Sequence, residues 1–512
     1  NGLLKYLVMT SKNNSRLLSN AIINNLGTIS QVIIALILTP LLIKSLGDTR
    51  YGIWTIIAGL SGYMSLLDFG IASAVTRFVS KHHENKEITE INITISSALA
   101  MFLVISSILV GMSPLISKAI VHFIDISPEL LPVISALIII VSFDMAIFIL
   151  SGVLRGALSG FQRYDITTYI YIASALYKAV ALLVVLEMGF GLVGMGVVSI
   201  TANVISALLF VIALRRMYPF LSIGAKYISK PTIKRIFTYG KYTFVGMISN
   251  QIIYYSDTFI VAYFLGAAAV TYYTIPWSLA EYSKQLFLAV GRAFVPAFSS
   301  HEAGDRHSEI SKLYLDGTRY MLIFSNLFCI GFLCLGGEFI SIWLGPEYKE
   351  KCQWLVYIFF SVQLIAAPQI ISYSMLQGLS KHKTYSRAAM ILAFSNLSLS
   401  LVLVQYIGLI GVALGAAIPQ IIFYAIFVPL HSNNVMNIST IEYFRKTFVR
   451  VLLPSVVLAT SALYFKSVFY PNSFVKLITI AVGCALIYGL CCYLFSLNKD
   501  EKDKIRSLIS SN

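Results

Sequence analysis

The chain has 512 residues and a net charge of +15, and it is 57% hydrophobic but only 12% charged, where a soluble domain carries roughly 25% charged residues. That balance excludes a soluble fold, and apolar runs of about 20 residues recur from end to end, each long enough to cross a hydrocarbon core of roughly 30 Å as a helix. The positive charge does not point to nucleic acid as a partner, because polytopic membrane proteins concentrate Lys and Arg in their cytoplasmic loops.

The first 16 residues are mixed and polar and show no signal-peptide cleavage site, so the first helix is expected to insert the chain with its N-terminus in the cytoplasm. Breaking the apolar pattern at Gly, Pro and charge clusters predicts about fourteen spans, beginning near residues 17, 51, 88, 129, 164, 191, 236, 268, 312, 353, 385, 409, 447 and 474. With the N-terminus inside, cytoplasmic segments hold 29 of the 38 Lys and Arg, outer loops hold seven, and Lys178 and Lys284 fall within spans. That bias sets the orientation and puts the C-terminus inside as well.

Internal matches divide the chain. Gly27, Ile29 and Ser30 match Gly246, Ile248 and Ser249 at a shift of 219, as Leu46-Gly47 matches Leu265-Gly266. Leu158-Ser159 and Tyr164 match Leu379-Ser380 and Tyr385 at 221, and GLVG from Gly191 matches GLIG from Gly408 at 217. The expected architecture is all-α: two homologous, parallel six-helix halves around a central cavity, plus a C-terminal helix pair. Residues 1–216 form the first lobe, 217–235 a cytoplasmic linker with Pro219 and Pro231, 236–431 the second lobe, and 432–512 two further helices with a basic cytoplasmic tail.

A charge at the bilayer centre costs about 2.5 to 3.5 kcal/mol on insertion scales, so buried charges are expected to face a cavity or a partner. On the second span Ser61, Ser65, Asp68, Ala72 and Thr76 recur at helical spacing, which turns Asp68 inward, and Arg77 marks the cytoplasmic rim. Asn24, Thr28 and Gln31 stripe the first span, Asn250, Tyr254 and Asp257 the seventh, and Glu281, Gln285 and Arg292 the eighth, with Lys284 adjacent. In the first half alone, Asp144 and Arg155 share a face of the fourth span and Lys178 lies on the fifth, within reach of an ion pair with Asp144. The cations Arg77, Arg155, Lys178, Lys284 and Arg292 suit an anionic substrate group. The acids Asp68, Asp144, Asp257 and Glu281 suit binding and release of a coupling ion, H⁺ or Na⁺. The bland alternative is that these residues pair with neighbouring helices or, for Arg77 and Arg292, snorkel to headgroups.

Other patterns carry less. GFGLVG at Gly189 to Gly194 fits a dinucleotide motif but sits in a short outer turn between helices, where no βαβ unit exists. No P-loop motif occurs, so a transported substrate is expected to move on an ion gradient, the membrane potential or its own gradient. His82 and His83 read as solvated loop residues, and the six cysteines, with no C-x-x-C pair, as small apolar membrane residues. No cofactor or metal is expected.

The segment YGIWTIIAGLSGYMSLLDFGIASAVTRFVSK, with GALSGFQRY after the fourth span and ISIWLGPEY before the tenth, resembles the Wzx-type O-antigen flippases of the polysaccharide transporter family, within the multidrug, oligosaccharidyl-lipid and polysaccharide exporter superfamily. The resemblance covers nearly the whole chain. It implies a non-enzymatic transporter that moves an undecaprenyl-pyrophosphate-linked oligosaccharide from the cytoplasmic to the periplasmic leaflet of a bacterial inner membrane. It further implies ion-coupled alternating access, a lipid tail accommodated by the last two helices, and a polysaccharide polymerase and chain-length regulator as partners. Asp68, Arg77 and Asp257 match recurrent family positions. Alternatives are a lipid-linked peptidoglycan precursor flippase and a multidrug or cation exporter of the same superfamily. A membrane glycosyltransferase or polymerase is a rival from another class, and it normally needs a larger outer loop than residues 113–128, near which lie only His122, Asp125 and Glu129.

Overall fold

The computed structural model describes residues 2–123, 128–304 and 306–503, with side-chain surroundings described from residue 29 onward except at 121–123, 242, 243, 245, 246, 249 and 250. The described residues are helical throughout apart from short turns. Among the described residues, nine helices are long and apolar enough to cross a membrane, or ten if one bent pair, Pro346–Ala366 and Gln369–Gly378, counts as a single span. The chain is thus a polytopic, all-helical membrane protein, and it folds into two compact units, residues 1–271 and 272–512.

The first unit holds α1 (Gly2–Met64), α2 (Ile71–Glu84), α3 (Ile88–Phe123), α4 (Leu131–Gly160), α5 (Tyr164–Glu187), α6 (Gly191–Met217) and α7 (Lys230–Leu265). Its axis is α4, packed against α2, α3 and α6. In lipid, apolar surface gives helices no reason to associate, so they associate where small residues admit close backbone approach. On α4 those residues are Gly152, Gly156 and Gly160, one turn apart. A Cβ on Gly156 would lie 2.8 Å from the Ala72 carbonyl oxygen, and one on Gly160 would lie 2.9 Å from that of Thr76. A second glycine seam joins α1 to α7: Cβ atoms on Gly59 and Gly62 would meet the Phe259 and Tyr255 rings, and one on Gly52 would run into the Ala267 carbonyl just beyond α7. The connection to α7 is clamped to α3, where Asn92, Ser96 and Ser97 accept backbone N–H groups from Ser222, Gly224 and Ser229 at 3.0 to 3.2 Å.

The second unit holds most of α8 (Ala267–Arg292), then α9 (Phe294–Ala303), α10 (His307–Trp343), α11 (Pro346–Ala366), α12 (Gln369–Gly378), α13 (Lys383–Ile422), α14 (Val428–Met436), α15 (Thr440–Lys446), α16 (Phe448–Phe469) and α17 (Phe474–Cys491). Here α10 is the axis. Its residues Ile330, Cys334 and Leu335 bury against Leu458, Ala462, Ile480 and Cys484 of α16 and α17. Five of the six cysteines are buried and all are free thiols.

Backbone turns recur at or near the positions matched in the sequence. Gly47 breaks α1 at φ 73°, ψ 168°, and Gly266 ends α7 at φ 83°, ψ 171°, a shift of 219. Gly191 and Gly408 are both left-handed, at φ 55° and 58°, and so are Gln162 and Ser380, at φ 60° and 56°. This last pair corrects the local alignment: the turns after α4 and α12 superpose at a shift of 218, three residues from the Ser159-to-Ser380 match. The Leu158 carbonyl accepts from Arg163, just as that of Leu376 accepts from Lys381.

Two loop expectations also change. His82 is 5% exposed rather than solvated, with Nδ1 2.5 Å from a Glu87 oxygen, while His83 is exposed, edge-on to Phe161. That contact holds the Glu87 carboxylate below its ordinary range. The presumed outer loop from 113 is helical as far as Phe123, because α3 continues through Pro114.

Candidate functional site

In the first unit α4 and α5 run antiparallel, so residues that ascend one descend the other. Asp144 and Arg155 are eleven residues apart on α4, which is about 16 Å along one face. Tyr171 and Lys178 are seven apart on α5 and meet them in reverse order. The Arg155 guanidinium donates to the Tyr171 hydroxyl and lies over the rings of Phe148, at 5.3 Å, and Tyr171, at 5.9 Å. Lys178 faces Asp144 electrostatically. Asp144 is 6% exposed and accepts from the Asn203 amide of α6 at 2.6 Å. The expected Asp144–Lys178 ion pair is therefore replaced: Asn203 holds the carboxylate, and the Lys178 ammonium makes no hydrogen bond or ion pair among the described residues.

An unpaired ammonium at this depth is costly unless water or a ligand reaches it. Arg155 and Lys178 are both only partly exposed. They make a short cationic ladder whose one nearby buried acid is already hydrogen-bonded to a neutral amide, and such a ladder can receive an anionic group.

Asp68 lies between α1 and α2. The polar stripe expected on one continuous span is interrupted, because a 3₁₀ turn, Ser65–Asp68, is followed by left-handed Phe69 and Gly70 before α2 begins. Asp68 Oδ1 accepts the Ala72 N–H at 3.0 Å. The carboxylate thus satisfies one of the orphan donors at the start of α2 and complements its dipole. Arg155 is the cation whose charge acts on Asp68. Arg77, one turn and more into α2, is exposed and stacks over Tyr239 of α7 at 4.7 Å.

Asp257 on α7 is 4% exposed and acts electrostatically on Tyr63 of α1, whose ring also meets those of Tyr255 and Phe259. Nearby, Gln251 donates to Ser65 Oγ at 2.8 Å. Tyr254 is half-buried, and Gln31 is exposed on α1. Asn24 and Asn250 lie outside the residues whose side chains are described.

In the second unit Glu281 and Lys284 form an ion pair at 3.2 Å within α8, Gln285 is half-buried beside them, and Arg292 is exposed. Sequence reasoning did not find the more deeply buried charges of this unit. Arg319 of α10 is 2% exposed and pairs with Asp316, at 3.1 Å, and with Glu501 of the C-terminal segment, to which Tyr320 also donates. Glu338, at the other end of α10, holds Lys349 at 3.0 Å and Lys466 of α16 at 2.9 Å. Arg319 lies at the start of an expected span, among the 29 cations assigned to the cytoplasmic side, and its distant partner Glu501 has no signal in local spacing. Asn203 and Tyr171 were legible in principle as polar residues at matching depth on adjacent spans.

Among the described residues no cluster of three or more His, Cys, Asp or Glu is placed to hold a metal ion.

Comparison with known proteins follows the same lines. Residues 17–302 match the model of a family described as polysaccharide biosynthesis protein. A Shigella flexneri protein named "Putative O-antigen transporter" is 24% identical over 79% of this chain and 95% of its own length. The uncharacterized membrane protein EpsK of Bacillus subtilis is 23% identical over 93% of this chain and 94% of its own. Among solved structures, the lipid II flippase MurJ in an inward closed conformation superposes with a TM-score of 0.69, covering 93% of this chain and 99% of that one at 16% identity. At that identity the likeness is one of fold.

Proposed function

The chain belongs to the polysaccharide biosynthesis protein family, and from that premise we propose that it is a flippase for an undecaprenyl-pyrophosphate-linked oligosaccharide, an O-antigen or similar surface-polysaccharide repeat unit. The observation that carries this reading is the cationic ladder of Arg155 and Lys178 inside the membrane. A pyrophosphate is the part of such a lipid that most needs help in crossing hydrocarbon, and guanidinium and ammonium groups bind phosphate by charge-assisted hydrogen bonds. A cation exporter would be served by an acidic wall, whereas here Asp144 is tied to Asn203 while Lys178 stays available.

The finer architecture belongs to the same reading. Counting the kinked helices α1 and α13 twice, the bent pair α11 and α12 once, and adding α7 and α8 brings the spans to fourteen, in two six-helix sequence halves followed by α16 and α17. The recurring turns at shifts of 217 to 219 support the repeat. The lysine and arginine bias supports a bacterial inner-membrane placement with both termini in the cytoplasm. Transport proceeds by alternating access coupled to H⁺, Na⁺ or the membrane potential, with Asp68, Asp144, Asp257 and Glu281 as the acids that would carry the ion, and a polymerase and chain-length regulator act downstream. Inverted vesicles loaded with labelled lipid-linked oligosaccharide test the mechanism. Protein-dependent transfer into the lumenal leaflet that is lost in Lys178→Ala supports it, and equal transfer by both proteins contradicts it.

A further inference from the structure

The two arms of α13, residues 383–406 and 409–422, fold back on each other across Ile407 and Gly408. They meet closely near that turn, where a Cβ on Gly415 would lie 2.5 Å from the Ser400 backbone and Ser400 Oγ donates to the Val412 carbonyl at 3.2 Å. Towards their other ends an open cleft of about 610 Å³ lies between Ile391 and Val402 on one arm and Ile418 and Ile422 on the other. Ala388, Ser395 and Ser398 leave the room on the first arm, and Phe423 and Phe427, in the turn of π-helix that follows the second, form an aromatic floor. The cleft continues into a shallower hollow that shares Ile391, Ser395 and Ser398 and ends at Arg387.

Arg387 is exposed and makes no hydrogen bond or ion pair among the described residues, and Lys381 and Lys383, both exposed, lie within two turns of it. From Arg387 to Val402 is fifteen residues, about 22 Å of helix. Half the thickness of a bilayer measured across its headgroups is likewise about 20 to 22 Å. The cleft thus runs from phosphate depth to the midplane, basic at one end and apolar along the rest.

We propose that this cleft is a binding site for an anionic phospholipid of the cytoplasmic leaflet, with its phosphate on Arg387 and one acyl chain between the arms of α13. A single-leaflet length fits an acyl chain and is too short for a much longer undecaprenyl tail. The cluster of cations at the mouth selects an anionic headgroup over a zwitterionic one. The site is independent of the flippase reading.

Purified full-length protein, incubated in detergent with phosphatidylglycerol, phosphatidylcholine or undecaprenyl phosphate, or with phosphatidylglycerol and undecaprenyl phosphate together, and freed of excess lipid, is read by native mass spectrometry. The wild type is expected to retain one phosphatidylglycerol and little phosphatidylcholine. Arg387→Gln, at an exposed position, should lower retention by about tenfold or more, as loss of a charge-assisted contact to phosphate implies. Ser395→Trp should remove it by filling the cleft, provided the variant remains monodisperse on size exclusion; if it does not, Arg387→Gln decides alone. Equal retention of both lipids, undiminished phosphatidylglycerol on Arg387→Gln, or a preference for undecaprenyl phosphate over phosphatidylglycerol would each overturn the proposal.

Discussion

Lys178 and Asp144 show how a single amide changes what a buried charge can do. With Asn203 holding the carboxylate at 2.6 Å, the ammonium is left to solvent or substrate. Lys178→Ala is therefore expected to cut glycan export by about tenfold or more while the protein stays at normal abundance in the membrane, a loss of the size of one hydrogen bond to a charged group. Lys284→Ala should also impair export, and unchanged export in both variants would remove the cation role. Asp144→Leu leaves the Asn203 amide unsatisfied in the protein interior and is expected to lower stability by about 1 to 3 kcal/mol, against a smaller loss for Asp144→Asn, measured by thermal unfolding in detergent. The sequence was enough to pick out Asp144, Arg155 and Lys178, because a charge inside an apolar run is conspicuous. Their pairing was not, since Tyr171 and Asn203 look unremarkable until antiparallel packing sets them at the same depth. Asp68 was legible as an oddity but not as the cap of α2, because the left-handed pair Phe69 and Gly70 looks helical in the hydrophobic pattern.

Helix against helix, the governing contacts are those of small residues. Gly156→Ala places a methyl 2.8 Å from the Ala72 carbonyl and Gly240→Ala one at 2.2 Å from that of Phe69. Each is expected to cost about 1 to 3 kcal/mol by overpacking. Gly111→Ala, which meets nothing within 4 Å, should be neutral or slightly stabilising; the three melting curves together check this. Gly152, Gly156 and Gly160 stand one turn apart on α4 in plain sight in the sequence, yet spacing alone does not say which helix fills them. The C-terminal segment adds a pH-dependent contact. Burial pushes the Glu501 carboxyl upward, but the Tyr320 hydroxyl, the Asn498 N–H and the Arg319 charge together bring it below its ordinary value. A depressed acid contributes its full stability above its unfolded value, near pH 4.3, and loses it as pH falls through the lower folded value. The contact should thus hold from neutral pH down to about 4.3 and release in more acidic buffer, whereas Glu501→Gln should be weakened at neutral pH already and lose this pH dependence, as read by protease access to the C-terminal segment.

For the molecule as a whole, composition alone dictated a polytopic helical membrane protein, and the spans were placed by Gly, Pro and charge. What the hydrophobic pattern could not show was how tight the joins are: Gly47 in α1 and Ile407-Gly408 in α13 leave helical geometry for one or two residues only, so each of these helices is two arms joined by a turn with no loop between them. The sequence matches predict a division at residues 217–235, whereas the compact units divide inside α8, because the glycine seam binds α7 to α1. The central claim is that this chain carries a lipid-linked oligosaccharide across the membrane. Its most direct test is a cell lacking the protein, in which labelled lipid-linked oligosaccharide is followed by leaflet. The account predicts accumulation on the cytoplasmic leaflet that the wild-type gene relieves and the Lys178→Ala gene does not, and normal glycan export with no such accumulation would contradict it.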